Sequence, residues 1–158
     1  MNSHHTVAIG TWEGDKQQSI EYNSSIAVGI DCPRAKLRVS ILLDTIQEYQ
    51  VRYIFSDEEI SEAVNEAGLI IGARGMAHEG VLQRKPVIVV GEYGFGGLVT
   101  PDTLHEQYNN YFRGKINGIK AEYFSLERLE EEIRRGFALT FQELQMMSNQ
   151  TIRFLHNI

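Results

Sequence analysis

In the stretch 66–101, EAGLIIGARGMAHEGVLQRKPVIVVGEYGFGGLVTP, two apolar segments each end in a glycine-rich turn expected to open a helix, the way α/β folds build phosphate and sugar sites. The first turn, Gly72-Ala73-Arg74-Gly75, leaves an apolar segment and leads into a helical one. A helix starting there turns its unpaired first-turn amides outward, and with the positive end of the dipole they favour negative charge. Arg74 adds a planar guanidinium that can grip a phosphate through two hydrogen bonds. The chemistry this predicts is a diphosphate cradle formed by Gly72, Arg74 and Gly75. The turn is neither GxGxxG nor a Walker sequence, so on spacing alone a tight strand-to-helix turn with a solvent-exposed arginine accounts for the same residues.

One turn into the predicted helix lie His78 and Glu79. A carboxylate there can accept from two vicinal hydroxyls, as a ribose presents them. His78 can donate to a phosphate or carry a proton, but nothing around it has metal-ligand spacing, and a structural histidine fits as well. The two as an acid/base pair suit a small-molecule enzyme less, because neighbours on a helix point about 100° apart. The second turn runs Gly91-Glu92-Tyr93-Gly94-Phe95-Gly96-Gly97, with four glycines in seven positions. Glycine lets backbone approach a ligand closely, Tyr93 and Phe95 can stack on a base or sugar face, and Glu92 can accept sugar hydroxyls. A flexible connector with a solvated glutamate is the alternative.

Strands and helices must hold these turns. Residues 69–72 and 86–91 are apolar on both faces, as in a parallel sheet covered by helices on both sides. Residues 6–11 read as a first strand followed by a polar loop over 12–25, and 25–31 and 51–55 as further strands. A helix is expected over 33–50, with Pro33 in its first turn and Leu37, Ile41, Leu42, Thr45, Ile46 and Tyr49 on one face. Ser56-Asp57-Glu58-Glu59 forms a capping box for a helix over 57–67, which Gly68 ends as a C-terminal cap. Helices follow over 76–84, from Thr100-Pro101 through 111, and over 125–135 with acid early and arginine late. Residues 113–120 read as a basic loop and 122–124 as a last short strand. Phe137, Phe141, Leu144, Ile152 and Leu155 mark a core-facing stripe on a long final helix.

Whole-chain properties narrow the function classes. At 158 residues with 42% apolar content, the chain can bury about two thirds of its unfolded surface. One domain over 1–158 is expected, with no linker and no internal repeat. A formal charge of -6 argues against nucleic acid as a partner, because such binding rests on clustered Lys and Arg. The single cysteine, Cys32, suits a reducing compartment and reads as an ordinary thiol before Pro33. No stretch approaches the roughly 20 apolar residues of a membrane span, and the N-terminus lacks the pattern of a secretory signal. A cytoplasmic location is expected.

The segment 58–88 resembles the donor-binding part of GT-B glycosyltransferases. It joins an acidic helix, the EAGLII strand, a glycine turn and Glu79-Gly80-Val81-Leu82-Gln83-Arg84-Lys85-Pro86-Val87-Ile88. The family pattern there is an "ADlvI" strand, a glycine turn and "E-A-x-x-x-G-x-P-V-I". This chain has Gly68 in place of the aspartate, Gly80 in place of the alanine and Arg84 where glycine is common. The resemblance implies a Rossmann-like α/β domain, with a mostly parallel sheet of roughly four to six strands and helices on both faces. It implies a nucleotide-diphosphate sugar such as a UDP-sugar as donor, for hexosyl or N-acetylhexosaminyl transfer. Carried over by position, Glu79 would hold the ribose, the turn 72–75 would lie against the diphosphate and the loop 91–97 near the donor. No metal and no cofactor beyond the nucleotide-sugar substrate is called for. GT-B enzymes use two such domains, so a separate acceptor-binding domain or chain, or a homodimer, is expected as partner. The alternative is a non-catalytic Rossmann-like module used in assembly or regulation.

Overall fold

The computed structural model describes residues 4–13, 16–115 and 118–156, those before Asn23 as backbone only. β1 (His4–Glu13) and β2 (Lys16–Asn23) pair antiparallel as a separate two-stranded sheet. The second sheet comprises β3 (Ser25–Gly29), β4 (Gln50–Tyr53), β5 (Leu69–Gly72), β6 (Val87–Gly91) and β7 (Gly94–Leu98), in the order β4-β3-β5-β6-β7. Its first four strands run parallel and β7 returns antiparallel to β6. Around it lie α1 (Pro33–Thr45), α2 (Ile60–Glu66), α3 (Arg74–Leu82), α4 (Leu104–Asn109), α5 (Leu126–Phe137) and α6 (Phe141–His156).

The uninterrupted apolar strands occupy the middle because both of their faces are covered. Ile26, Val28, Leu69, Ile71, Ile88 and Val90 point to one layer, where they meet Val39 and Leu42 of α1 and Leu129 and Ile133 of α5. Ala27, Ile70, Val87 and Val89 point to the other, against Val64 of α2, Ala77 and Val81 of α3 and Met147 of α6. Each Val, Leu, Ile or Met side chain among them contributes about 1.5–3 kcal/mol on burial. The result is a Rossmann-like α/β domain with a mostly parallel sheet and helices on both faces. No helix among the described residues is long and apolar enough to cross a membrane.

Several local expectations are corrected. Residues 16–23, read as loop, form β2, because strand pairing rather than an apolar pattern organises them. Helix α1 stops at Thr45 and seats Ala35, Val39, Leu42 and Leu43, leaving Leu37 and Ile41 61% and 53% exposed. Two apolar stripes compete on that helix, and the one containing small Ala35 approaches the sheet. Residues 57–59 form a 3-10 turn ahead of α2. Gly68 is absent from the residues with positive φ and is no left-handed cap; a Cβ there would lie 1.9 Å from the Asn23 carbonyl oxygen.

Unlike the first glycine turn, which opens α3, the second glycine run opens no helix. Gly94-Phe95-Gly96-Gly97 is the start of β7, returning from a tight turn at Glu92-Tyr93. Residues 101–103 form a turn and α4 begins only at Leu104. Residues 121–123 are a turn rather than a strand, with Phe124 fully buried behind it. On α6 the buried face is Met147, Ser148 and Thr151, whereas Phe141, Ile152 and Leu155 are exposed. Ser148 lies on the inner face because its hydroxyl donates to the Leu82 carbonyl at 2.8 Å.

Candidate functional site

Strand order opens a crevice. From β3 the chain crosses to β4 on one side, and the next crossing carries it to β5 on the other. The loops leaving β3 and β5 therefore diverge, and ligands of open α/β sheets bind in such a gap at the carboxyl ends of the strands. Two adjoining clefts of about 370 and 390 Å³ open there and share Gly29, Asp31, Ala73 and Arg74. The first extends to Phe55, Ser56, Asp57, Ile60 and Tyr111, the second to Cys32, Gly91 and Glu92. Ligand pockets commonly span about 300–1,000 Å³.

The floor of the crevice depends on two paired glycines. Gly29 and Gly72 are partners at the carboxyl ends of β3 and β5. A Cβ on Gly29 would stand 2.1 Å from the sulfur of Met76, so the first turn of α3 settles directly onto the sheet. The amides of Gly75 and Met76 are first-turn donors that the helix itself leaves open. The Arg74 amide is engaged, donating to the Phe112 carbonyl at 3.1 Å.

That hydrogen bond joins two strained segments. Arg74, Tyr111 and Phe112 have φ of 49°, 56° and 55°. The left-handed region costs an ordinary residue roughly 1–2 kcal/mol, and such strain gathers at binding and catalytic sites. Another such residue, Arg84 at φ 60°, closes α3, its amide donating to the Val81 carbonyl and that of Lys85 to the Gly80 carbonyl.

Charge on the crevice rim centres on Glu92. Its Oε1 accepts from Arg74 Nε at 3.1 Å and from Arg74 Nη2, and lies 3.4 Å from Arg113 Nε. Arg113 Nη1 donates to the Tyr93 hydroxyl at 3.2 Å. The hydrogen bonds that Arg74 donates to Glu92 hold the Arg74 pKa above its usual value. Across the first cleft, Glu59 accepts from the amides of Phe55 and Ser56, both at 3.2 Å. The Phe55 bond, followed by those from Ser56, holds its carboxyl below the ordinary range, against some opposition from burial. This is the glutamate half of the predicted capping box, and it fixes the loop after β4.

Among the residues singled out from sequence, Gly72, Arg74, Gly75, Glu92 and Tyr93 come together here. Glu79 lines neither cleft: it lies one turn beyond Gly75, its Oε2 accepting at 2.8 Å from Gln83 Nε2, which also donates to the Ser61 carbonyl of α2. His78 turns into an aromatic surround, with ring centroids of Tyr108, Tyr111 and Phe112 at 6.1, 5.8 and 6.2 Å. Its Nε2 is buried without a hydrogen-bond partner, and burial pushes its pKa below the ordinary value despite Glu79 nearby. Phe95 is 4% exposed and stacks on Phe124 at 4.7 Å in the core. Gly96 accepts from Gln107 Nε2 at 2.9 Å, and a Cβ on Gly97 would lie 2.6 Å from Glu132 Oε1.

The glycines of the second run have a packing role that spacing does not reveal. Tyr93 N donates to the Arg113 carbonyl and Phe95 N to that of Ile119, both at 2.8 Å. A Cβ on Gly91 would come within 2.3 Å of the Arg113 carbonyl oxygen, and one on Gly114 within 2.0 Å of the Gly94 oxygen. Glycine there lets the chain after α4 lie against the β6–β7 turn, which places Arg113 at the crevice. Arg113, Tyr111, Asp31 and Ser56 were missed from sequence. Only the basic character of the loop 113–120 hinted at Arg113, and residues 116–117 of that loop lie outside the described residues.

Among the described residues, no group of three or more His, Cys, Asp or Glu side chains is placed to hold a metal ion. Comparison with models of known families, with curated proteins and with solved structures finds no match to this chain.

Proposed function

We propose that the chain binds a nucleotide-diphosphate sugar in the switch-point crevice and forms the donor-binding part of a GT-B-like glycosyltransferase, the acceptor being held by another domain or chain. The observation carrying this reading is the crevice itself, with Arg74 and the amino end of α3 on one wall. A diphosphate would lie against the Gly75 and Met76 amides, with Arg74 beside it. The nucleoside would extend along the first cleft toward Ser56 and Ile60, near the α2–α3 seam where Glu79 lies. In transfer, charge builds on the departing diphosphate, and fixed amides with a guanidinium stabilise it without reorganising. The resemblance in the segment 58–88 supports a sugar nucleotide over other nucleotides.

Calorimetry with UDP, GDP and their sugars tests the reading. A nucleotide sugar should bind, Arg74→Ala should weaken it by about tenfold or more, and Glu79→Ala should weaken the nucleotide sugar but not inorganic pyrophosphate. No binding by any of these nucleotides at about millimolar concentration would remove the donor site. A second reading, a non-catalytic assembly module, draws on the 68% exposure of Phe141 and 50% exposure of Met146 on α6. Light scattering that shows a homodimer, lost on Phe141→Glu with nucleotide absent throughout, would favour it.

A further inference from the structure

Three half-exposed side chains make an unusual arrangement at the rim of the second cleft. Arg74 and Arg113 come from distant parts of the chain, yet both address Oε1 of Glu92. Arg113 Nε is buried and has no hydrogen-bond partner, although it lies 3.4 Å from that oxygen. Glu92 thus approaches both guanidiniums and satisfies the second poorly. We propose that Glu92 is a resident stand-in for a bound anion: its carboxylate holds Arg74 and Arg113 together in the empty protein, and a diphosphate displaces it and takes both guanidiniums. This rests on the reading of the crevice as a diphosphate site, and it adds Arg113 to that site and a gating role for Glu92.

The geometry favours exchange. Side chains of Arg74, Arg113 and Glu92 are 48%, 39% and 44% exposed, so water screens the existing pairs and little is lost when they open. A diphosphate carries more charge than one carboxylate and offers oxygens to both arginines at once. The backbone is already strained to put them there, with Arg74 and the residues before Arg113 at positive φ. Glu92 sits in the tight turn between β6 and β7, and its side chain can swing to solvent with the backbone unchanged. Without such a carboxylate, the two cations would repel across the empty rim.

The test is calorimetry of inorganic pyrophosphate with the full chain and with Glu92→Gln, Glu92→Ala and Arg113→Ala. Removing the competing charge should tighten pyrophosphate by about three- to tenfold in both Glu92 variants, and Arg113→Ala should weaken it by about fivefold or more. Equal or weaker binding by the Glu92 variants would overturn the stand-in role, as would failure of every variant to bind. The nucleotide reading fails separately: pyrophosphate would follow this pattern while no nucleotide sugar bound more tightly than pyrophosphate.

Discussion

Gly80→Ala tests whether α3 is seated as closely on the sheet as the crevice requires. In isolation the change should help, since alanine is favoured over glycine inside a helix by about 1 kcal/mol. The structure opposes it. A Cβ at Gly80 would lie 2.6 Å from Val87 Cγ2 and 3.1 Å from Ile70 Cγ1, both on fully packed strands. Carbon atoms in contact prefer about 3.5–4.0 Å, so the overlap with Val87 is about 1 Å. Forcing an extra methyl into a packed core costs about 1–3 kcal/mol. The net is a loss near 1 kcal/mol, or about 2–4 °C in Tm for a chain of this size. Equilibrium urea unfolding measures it, and the double variant with Val87→Ala isolates the cause. With Val87 shortened, Gly80→Ala should become neutral or stabilising by up to about 1 kcal/mol, the sign reversing because the obstructing methyl has gone. If Gly80→Ala alone stabilised by its full helix propensity, the close approach would be wrong, and with it the placement of Arg74 and Gly75.

His78 should make the fold acid-sensitive. Its folded pKa lies below the ordinary 6.5 because burial disfavours imidazolium, so the unfolded chain binds more protons between that lowered value and 6.5. The contribution is complete above 6.5 and is lost as pH falls toward the lowered value; His78→Phe should flatten the urea midpoint between about pH 7 and pH 5, and an unchanged profile would refute this. At the start of α5, Ser125 Oγ accepts from the Arg128 amide at 3.1 Å. Ser125→Ala should cost about 1 kcal/mol in urea unfolding, and no loss would show that the cap is idle.

Where local chemistry dictated structure, the sequence was a good guide. Leu69 to Gly72 and Val87 to Gly91 could only be buried strands, because so many adjacent apolar side chains need cover on both faces. Ser125, Pro33 and Glu59 marked helix starts through bonds or angles made within a few residues. Spacing alone did not decide outcomes that depended on distant partners. Leu37 and Ile41 had the right helical spacing, but only one stripe of α1 can meet the sheet. The glycines at 94, 96 and 97 had the density of a ligand loop, yet Gly94 and Gly97 pair with β6 and the three pack against α4, α5 and the chain after α4.

The same division runs through the candidate site. From sequence alone came the α/β class, the apolar parallel strands, and the turn that places Arg74 at the amino end of a helix. These follow from periodicity and short-range hydrogen bonding, which act within one turn or one strand. Tertiary structure decided that β3 and β5 lie side by side, so that their diverging loops open a crevice. It also turned His78 into an aromatic surround, buried Phe95, and brought Arg113 to Glu92 from 21 positions along the chain. Those outcomes depend on strand order and on backbone approach between distant segments, which residue spacing does not encode.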